Sequence, residues 1–141
     1  MRRVYILLVG LIVGLVITGF FFSSVSLSGE QGDRFYACIS GKNYNKLIDL
    51  LDKEALKEVA REDWLKILQS NSNELGNLIS YKNIGLHTET LNGLRISELE
   101  YEVIYSNGKR NEKIEVIKRD SDFKILSYKS ICSDSLMLSL K

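Results

Sequence analysis

An α+β domain, with its helices ahead of a four-stranded antiparallel sheet, is the fold this 141-residue sequence predicts. Three observations lead there. Apolar residues recur at helical spacing through the first half, alternate every second residue in the second half, and are parted there by turn signals. Helices segregated before strands pack on one face of a sheet.

The chain opens with an address rather than with the domain. Arg2 and Arg3 precede nineteen residues, Val4 to Phe22, without a charged side chain. As a helix that run spans ~28 Å, close to the ~30 Å hydrocarbon core of a bilayer. The two arginines favour a cytoplasmic N-terminus, which puts everything after about Ser23 outside the cytoplasm, and Phe20-Phe21-Phe22 sits where an interfacial aromatic belt lies. The reading is a single-pass membrane anchor over residues 1–22. Its rival is a cleaved signal peptide and a secreted domain. That needs an apolar region of ~7–15 residues and small residues before the cut, for which Ser24-Val25-Ser26 or Ser26-Leu27-Ser28 would serve. No cysteine directly follows the run, which excludes a lipoprotein anchor. Gly10 and Gly14 have a helix-packing spacing, but lipid-facing glycines account for it equally well.

Charge narrows the partners. Beyond the two arginines stand 17 basic and 18 acidic side chains, a net of −1. No bulk electrostatic attraction to nucleic acid follows from that balance.

Residues 23–29 read as a Ser/Gly linker and residues 30–133 as the domain, with a tail at 134–141. In the domain, Phe35, Cys38 and Ile39 mark one helix face, and Gly41-Lys42-Asn43 breaks the helix. Tyr44, Leu47, Ile48 and Leu51 mark a second helix. Asp52 is suited to cap a third, striped by Leu56, Val59, Ala60, Trp64, Ile67 and Leu68. Asn71-Ser72-Asn73 is expected to fray it, and Gly76 to close it. A strand over Leu78 to Thr90 is interrupted by Gly85, which suggests a bulge. Leu99, Tyr101, Val103 and Tyr105 alternate with Glu98, Glu100, Glu102 and Ile104, a half-buried strand. Asn107-Gly108 gives a hairpin signal, because both residues tolerate positive φ. The return strand runs from near Glu112 to Arg119. Asp120-Ser121-Asp122 turns into Phe123 to Tyr128, continuing toward Cys132.

Gly41-Lys42-Asn43-Tyr44…Leu47…Leu50-Leu51, Gly76-x-Leu78-x-Ser80, Tyr101-x-Val103-x-Tyr105 and Phe123-Lys124-Ile125…Tyr128 resemble small exported domains of the nuclear transport factor 2-like superfamily. The likeness covers about residues 30 to 131, with Phe123 where those domains usually carry tryptophan. The resemblance implies a cone-like, cystatin-like α+β fold whose sheet wraps around the first helices and can leave a pocket. Many such members have no assigned activity.

No residue constellation announces chemistry. His87 is the only histidine, with Glu89 on the same strand face; a satisfied or exposed histidine explains the pair better than an acid–base role. Asp120 and Asp122 read as turn residues rather than calcium ligands, which would need more oxygens at defined spacing. Glu98, Glu100 and Glu102 form an acidic row that Lys113 or Lys118 would pair with. Cys38 and Cys132 leave two readings open: a disulfide, which an extracytoplasmic compartment permits, or two buried thiols. No catalytic residue, cofactor or metal ligand is assigned.

The expected function is a non-catalytic binding or assembly module, held at the membrane and meeting a protein partner in the cell envelope. The alternative is a small-molecule-binding or enzymatic domain using the cone cavity. The lining of that cavity separates the two: an acid–base pair favours the enzyme, apolar and tyrosine walls favour binding.

Overall fold

A computed structural model describes residues 27–132. The segment read as an anchor, and everything from residue 133 on, the tail at 134–141 included, lie outside the described residues, and no described helix is long and apolar enough to cross a membrane.

Helix α1 is already formed at residue 27, inside the stretch read as a linker, and runs to residue 40. It buries Ser28, Gln31, Phe35, Tyr36 and Cys38, one face at helical spacing. Gly32 lies on that face too, where any Cβ would collide with the hydroxyl of Tyr101. The glycine thus leaves room for the ring end of the buried Tyr101 side chain. Lys42, not Gly41, takes the left-handed conformation that ends α1, at φ 53°.

Helix α2, Tyr44–Ile48, is capped by the Asn43 side chain, which accepts from the Lys46 amide. The single third helix expected from Asp52 onward is instead two, α3 over Lys53–Glu58 and α4 over Arg61–Leu75. Val59 and Ala60 between them are extended. The break lets α4 turn back so that Trp64 Nε1 donates to the Ala55 carbonyl at 3.4 Å. Trp64 is buried as its stripe predicts, whereas Ile67 on the same stripe is 43% exposed. Asn71-Ser72-Asn73 does not fray α4, which continues to Leu75 and is closed by Gly76 at φ 77°.

Four strands follow as an antiparallel meander in the order β1-β2-β3-β4. They are β1, Leu78–Leu91; β2, Leu94–Tyr105; β3, Gly108–Arg119; and β4, Asp122–Cys132. The predicted irregularity in β1 is present as a register shift between Asn83 and Gly85. The hairpin with two positive-φ residues is not the one expected. Asn92 and Gly93 form it between β1 and β2, at φ 51° and 76°. The β2–β3 loop is Ser106-Asn107, one residue earlier than read, and Asn107 is not at positive φ. Helix α4 holds this loop in place: the Asn107 amide donates to the Leu75 carbonyl, and Asn107 Nδ2 to that of Glu74. Tertiary anchoring there outweighs the local turn preference.

The core lies between α1, α2, α4 and one sheet face. Phe35, Tyr36, Leu47, Ile48 and Leu68 meet Leu99, Val103, Ile114, Val116 and Ile125, each of the ten at most 2% exposed. The protein is thus an α+β domain with four helices on a four-stranded antiparallel sheet.

Candidate functional site

Glu112 is the residue that the sequence reading passed over. In β3 the residues Arg110, Glu112, Ile114 and Val116 alternate toward the helices, so Glu112 enters the core in phase with its apolar neighbours. It is 1% exposed. Tyr105 and Ser130 donate to its Oε1 at 3.0 and 3.2 Å, and Tyr36 donates to Oε2 at 3.0 Å. The Tyr128 hydroxyl adds to their effect on the ionisation of the carboxyl. The three donors come from α1, β2 and β4. The strand alternation was legible, but nothing local shows that hydroxyls from three other elements converge on one carboxyl.

Burial pushes the Glu112 carboxyl above the usual range, while the hydroxyls oppose that shift by favouring the ionised form. Burial and the neighbouring carboxylate push the Tyr36, Tyr105 and Tyr128 hydroxyls up, so all three stay protonated as donors. Aromatic packing fixes the cage. Tyr36 stacks on Tyr81 with centroids 4.4 Å apart, and Phe35 packs against Tyr128 at 5.0 Å.

Tyr128 and Ser130 also face outward into a cleft of about 520 Å³. Its walls are α3, α4 and β4, with Val59, Trp64, Leu75 and Leu126 supplying the apolar surface. Arg110 sits at one end, 3.1 Å from the exposed carboxylate of Glu74. Glu112 does not line the cleft; it braces two residues that do. Beside the cleft, β4 is a sheet edge. Its far end is tied down, since Leu51 makes a parallel bridge to Ile125, with the Asp52 amide donating to the Ile125 carbonyl at 2.7 Å. From Leu126 to Ile131 the outer edge pairs with no strand among the described residues.

The residues singled out from sequence lie elsewhere. His87 is exposed on the edge strand β1, opposite Glu98. Asp120 and Ser121 are the β3–β4 turn, with Asp120 at φ 51°. Among the described residues no group of three or more His, Cys, Asp or Glu is arranged to hold a metal ion. In the acidic row, Lys113 Nζ lies 2.9 Å from Glu98 and 2.6 Å from Glu100, and Lys109 Nζ lies 2.7 Å from Glu102. Lys118 lies over the Phe123 ring instead. Cys38 carries a free, buried thiol, pushed up by burial. The side chain of Cys132 is outside the described residues, and so is its pairing.

Comparison with known proteins adds no relative: no protein-family model matches the chain, and no curated protein matches it.

Proposed function

We propose that this is a non-catalytic binding module, anchored at the membrane with its domain outside the cytoplasm, which takes an extended apolar segment of a protein partner into the α3–α4–β4 cleft. The observation that carries the reading is the coincidence of an apolar cleft with the open edge of β4 along its wall. An added strand would gain main-chain hydrogen bonds from the edge and seat alternate side chains against Trp64, Leu75 and Tyr128. The resemblance to nuclear transport factor 2-like domains supports a pocket at the helix–sheet junction. Glu112 supports binding over catalysis, because its two oxygens are occupied by three hydroxyl donors and face away from solvent.

Trp64, the only tryptophan, reports on the cleft. Titrating the detergent-solubilised chain with a leucine-alternating peptide is expected to blue-shift its emission saturably. The same peptide with proline at alternate positions cannot complete the ladder and should not. Equal responses to both peptides would defeat the strand-binding reading. Catalysis is the second reading, favoured only by the raised carboxyl of Glu112 behind the cleft wall. It requires Glu112→Gln to abolish function in a chain that still folds and still binds the peptide.

A further inference from the structure

We infer that the partner segment carries a cation, a lysine or arginine two residues after its last apolar residue, which meets Glu58 and fixes the direction in which the segment lies along β4. The inference rests on the reading of the cleft as a strand-binding site and adds the chemistry of its occupant.

The elements that frame the cleft tell its two ends apart. Helix α4 and strand β4 run the same way along its walls. At the start of α4, Arg61 Nη1 lies 3.5 Å from the Asp49 carboxylate, and Lys124 Nζ donates to the Asp49 carbonyl at 3.1 Å. That end of the helix therefore stands beside the beginning of β4. At the other end Glu74 reaches Arg110, which pairs with Cys132, the last residue of β4. Glu58 precedes α4 by two extended residues, Val59 and Ala60, and so lines the cleft at its Leu126 end. From Trp64 to Glu74, α4 covers ~15 Å at ~1.5 Å per residue. From Leu126 to Ser130, β4 covers ~13 Å, so that about five residues of extended chain fill the cleft.

Charge distinguishes the ends as well. The charged side chains lining the cleft are Glu58, Glu74 and Arg110. At the Ser130 end, Glu74 and Arg110 answer each other at 3.1 Å. At the Leu126 end, Glu58 takes part in no ion pair among the described residues. The basic side chains nearest to it in sequence are committed elsewhere, Lys57 to Glu54 and Arg61 to Asp49. Lys129 of β4 shares the other sheet face with Lys113. The cleft thus keeps one negative charge beside an apolar wall, and a cation on the occupant balances it.

Register places that cation. A segment added antiparallel, the pairing every strand of this sheet already uses, enters beside Ser130 and leaves beside Leu126. Residues opposite Ser130 and Tyr128 face the cleft, because those two pair with Glu112 and Ile114 on the core side. The next residue of that face lies opposite Leu126, at the Glu58 end. Read from N to C, the motif is apolar-x-apolar-x-cation. Glu58 is exposed, so the pair contributes direction more than affinity.

The test uses the full chain in detergent and three peptides with blocked ends, so that only side chains carry charge. They are Thr-Leu-Thr-Leu-Thr-Lys, Lys-Thr-Leu-Thr-Leu-Thr, and the first with glutamate in place of lysine. Trp64 emission reports binding. The first peptide is expected to bind about two- to fivefold more tightly than the second at low salt, as an exposed ion pair allows, and the glutamate peptide more weakly than either. The preference should fade at high ionic strength and in Glu58→Gln, while Glu58→Lys should transfer it to the glutamate peptide. Lysine suits the last turn of a helix, so that variant keeps its fold. Glu62→Gln removes a charge from the first turn of α4, outside the cleft, and should leave the preference as it is. Equal binding of the two lysine peptides, or tighter binding of the second, overturns the direction assigned to the segment. A preference that Glu58→Gln leaves intact, or that Glu62→Gln removes equally, overturns the role of Glu58. Absence of binding by all three peptides defeats the strand-binding reading of the cleft itself.

Discussion

Two regions of this domain each bury a carboxylate, and they do so with opposite electrostatic outcomes. At the junction of α2, α3 and β4, Asp52 is 3% exposed and caps α3 by accepting from the Glu54 amide at 3.0 Å. It also takes two hydrogen bonds from Arg119, from Nε at 2.9 Å and from Nη2 at 3.1 Å. The guanidinium holds its carboxyl below the ordinary range, against the opposing effect of burial. At the centre of the sheet, Glu112 meets only neutral hydroxyls. Burial prevails there and its carboxyl is raised. A fixed cation offsets the loss of hydration; several neutral donors lessen the cost without cancelling it.

Breaking each region in turn sharpens the contrast. The largest effect is expected from Glu112→Ala. It opens a cavity and leaves the hydroxyls of Tyr36 and Tyr105 buried without their acceptor, costing about 3 kcal/mol or more. Urea unfolding checks it, and a midpoint within error of wild type would show the cage to be dispensable. Asp52→Ala should cost less, about 1–2 kcal/mol through the lost helix cap, since Arg119 is left where water reaches it. The same unfolding experiment reads it.

The pH dependence should separate the two sites by sign. Asp52 has a lowered folded pKa, so its contribution is present above the ordinary aspartate value of ~3.9 and lost as pH falls through the lowered one. Glu112 has a raised folded pKa, so its contribution is complete below the ordinary glutamate value of ~4.3 and lost as pH rises through the raised one. Relative to wild type, Asp52→Asn should therefore lose most at neutral pH and least in acid. Glu112→Gln should gain on wild type as pH rises. Parallel curves for the two variants between pH 3 and 8 would mean that one of the environments is misassigned. The smallest effect is expected at His87. It is exposed on an edge strand, and His87→Ala should shift stability by no more than ~0.5 kcal/mol, with peptide binding at the cleft unchanged. A large loss of binding there would move the functional surface to β1.

The sequence by itself determined the class of the fold, most of the apolar faces and the chain order of the elements, because burial writes its period into the residues. Leu99, Tyr101, Val103 and Tyr105 alternate and are all buried; Phe35 and Cys38 keep helical spacing and share a buried face. Local chemistry also placed the Asp52 cap, the Gly76 terminus and the irregularity in β1. Tertiary structure decided the rest. Docking of the Ser106-Asn107 loop on α4 overrode its turn preference, and the fold of α4 back onto Ala55 split a continuous apolar stripe. The Glu112 cage and the cleft lay beyond the sequence for a single reason. Tyr36, Tyr105 and Ser130 stand 76, 7 and 18 residues from Glu112 along the chain, and only the packing of a helix across a meander brings such distant hydroxyls within hydrogen-bonding distance of one carboxyl.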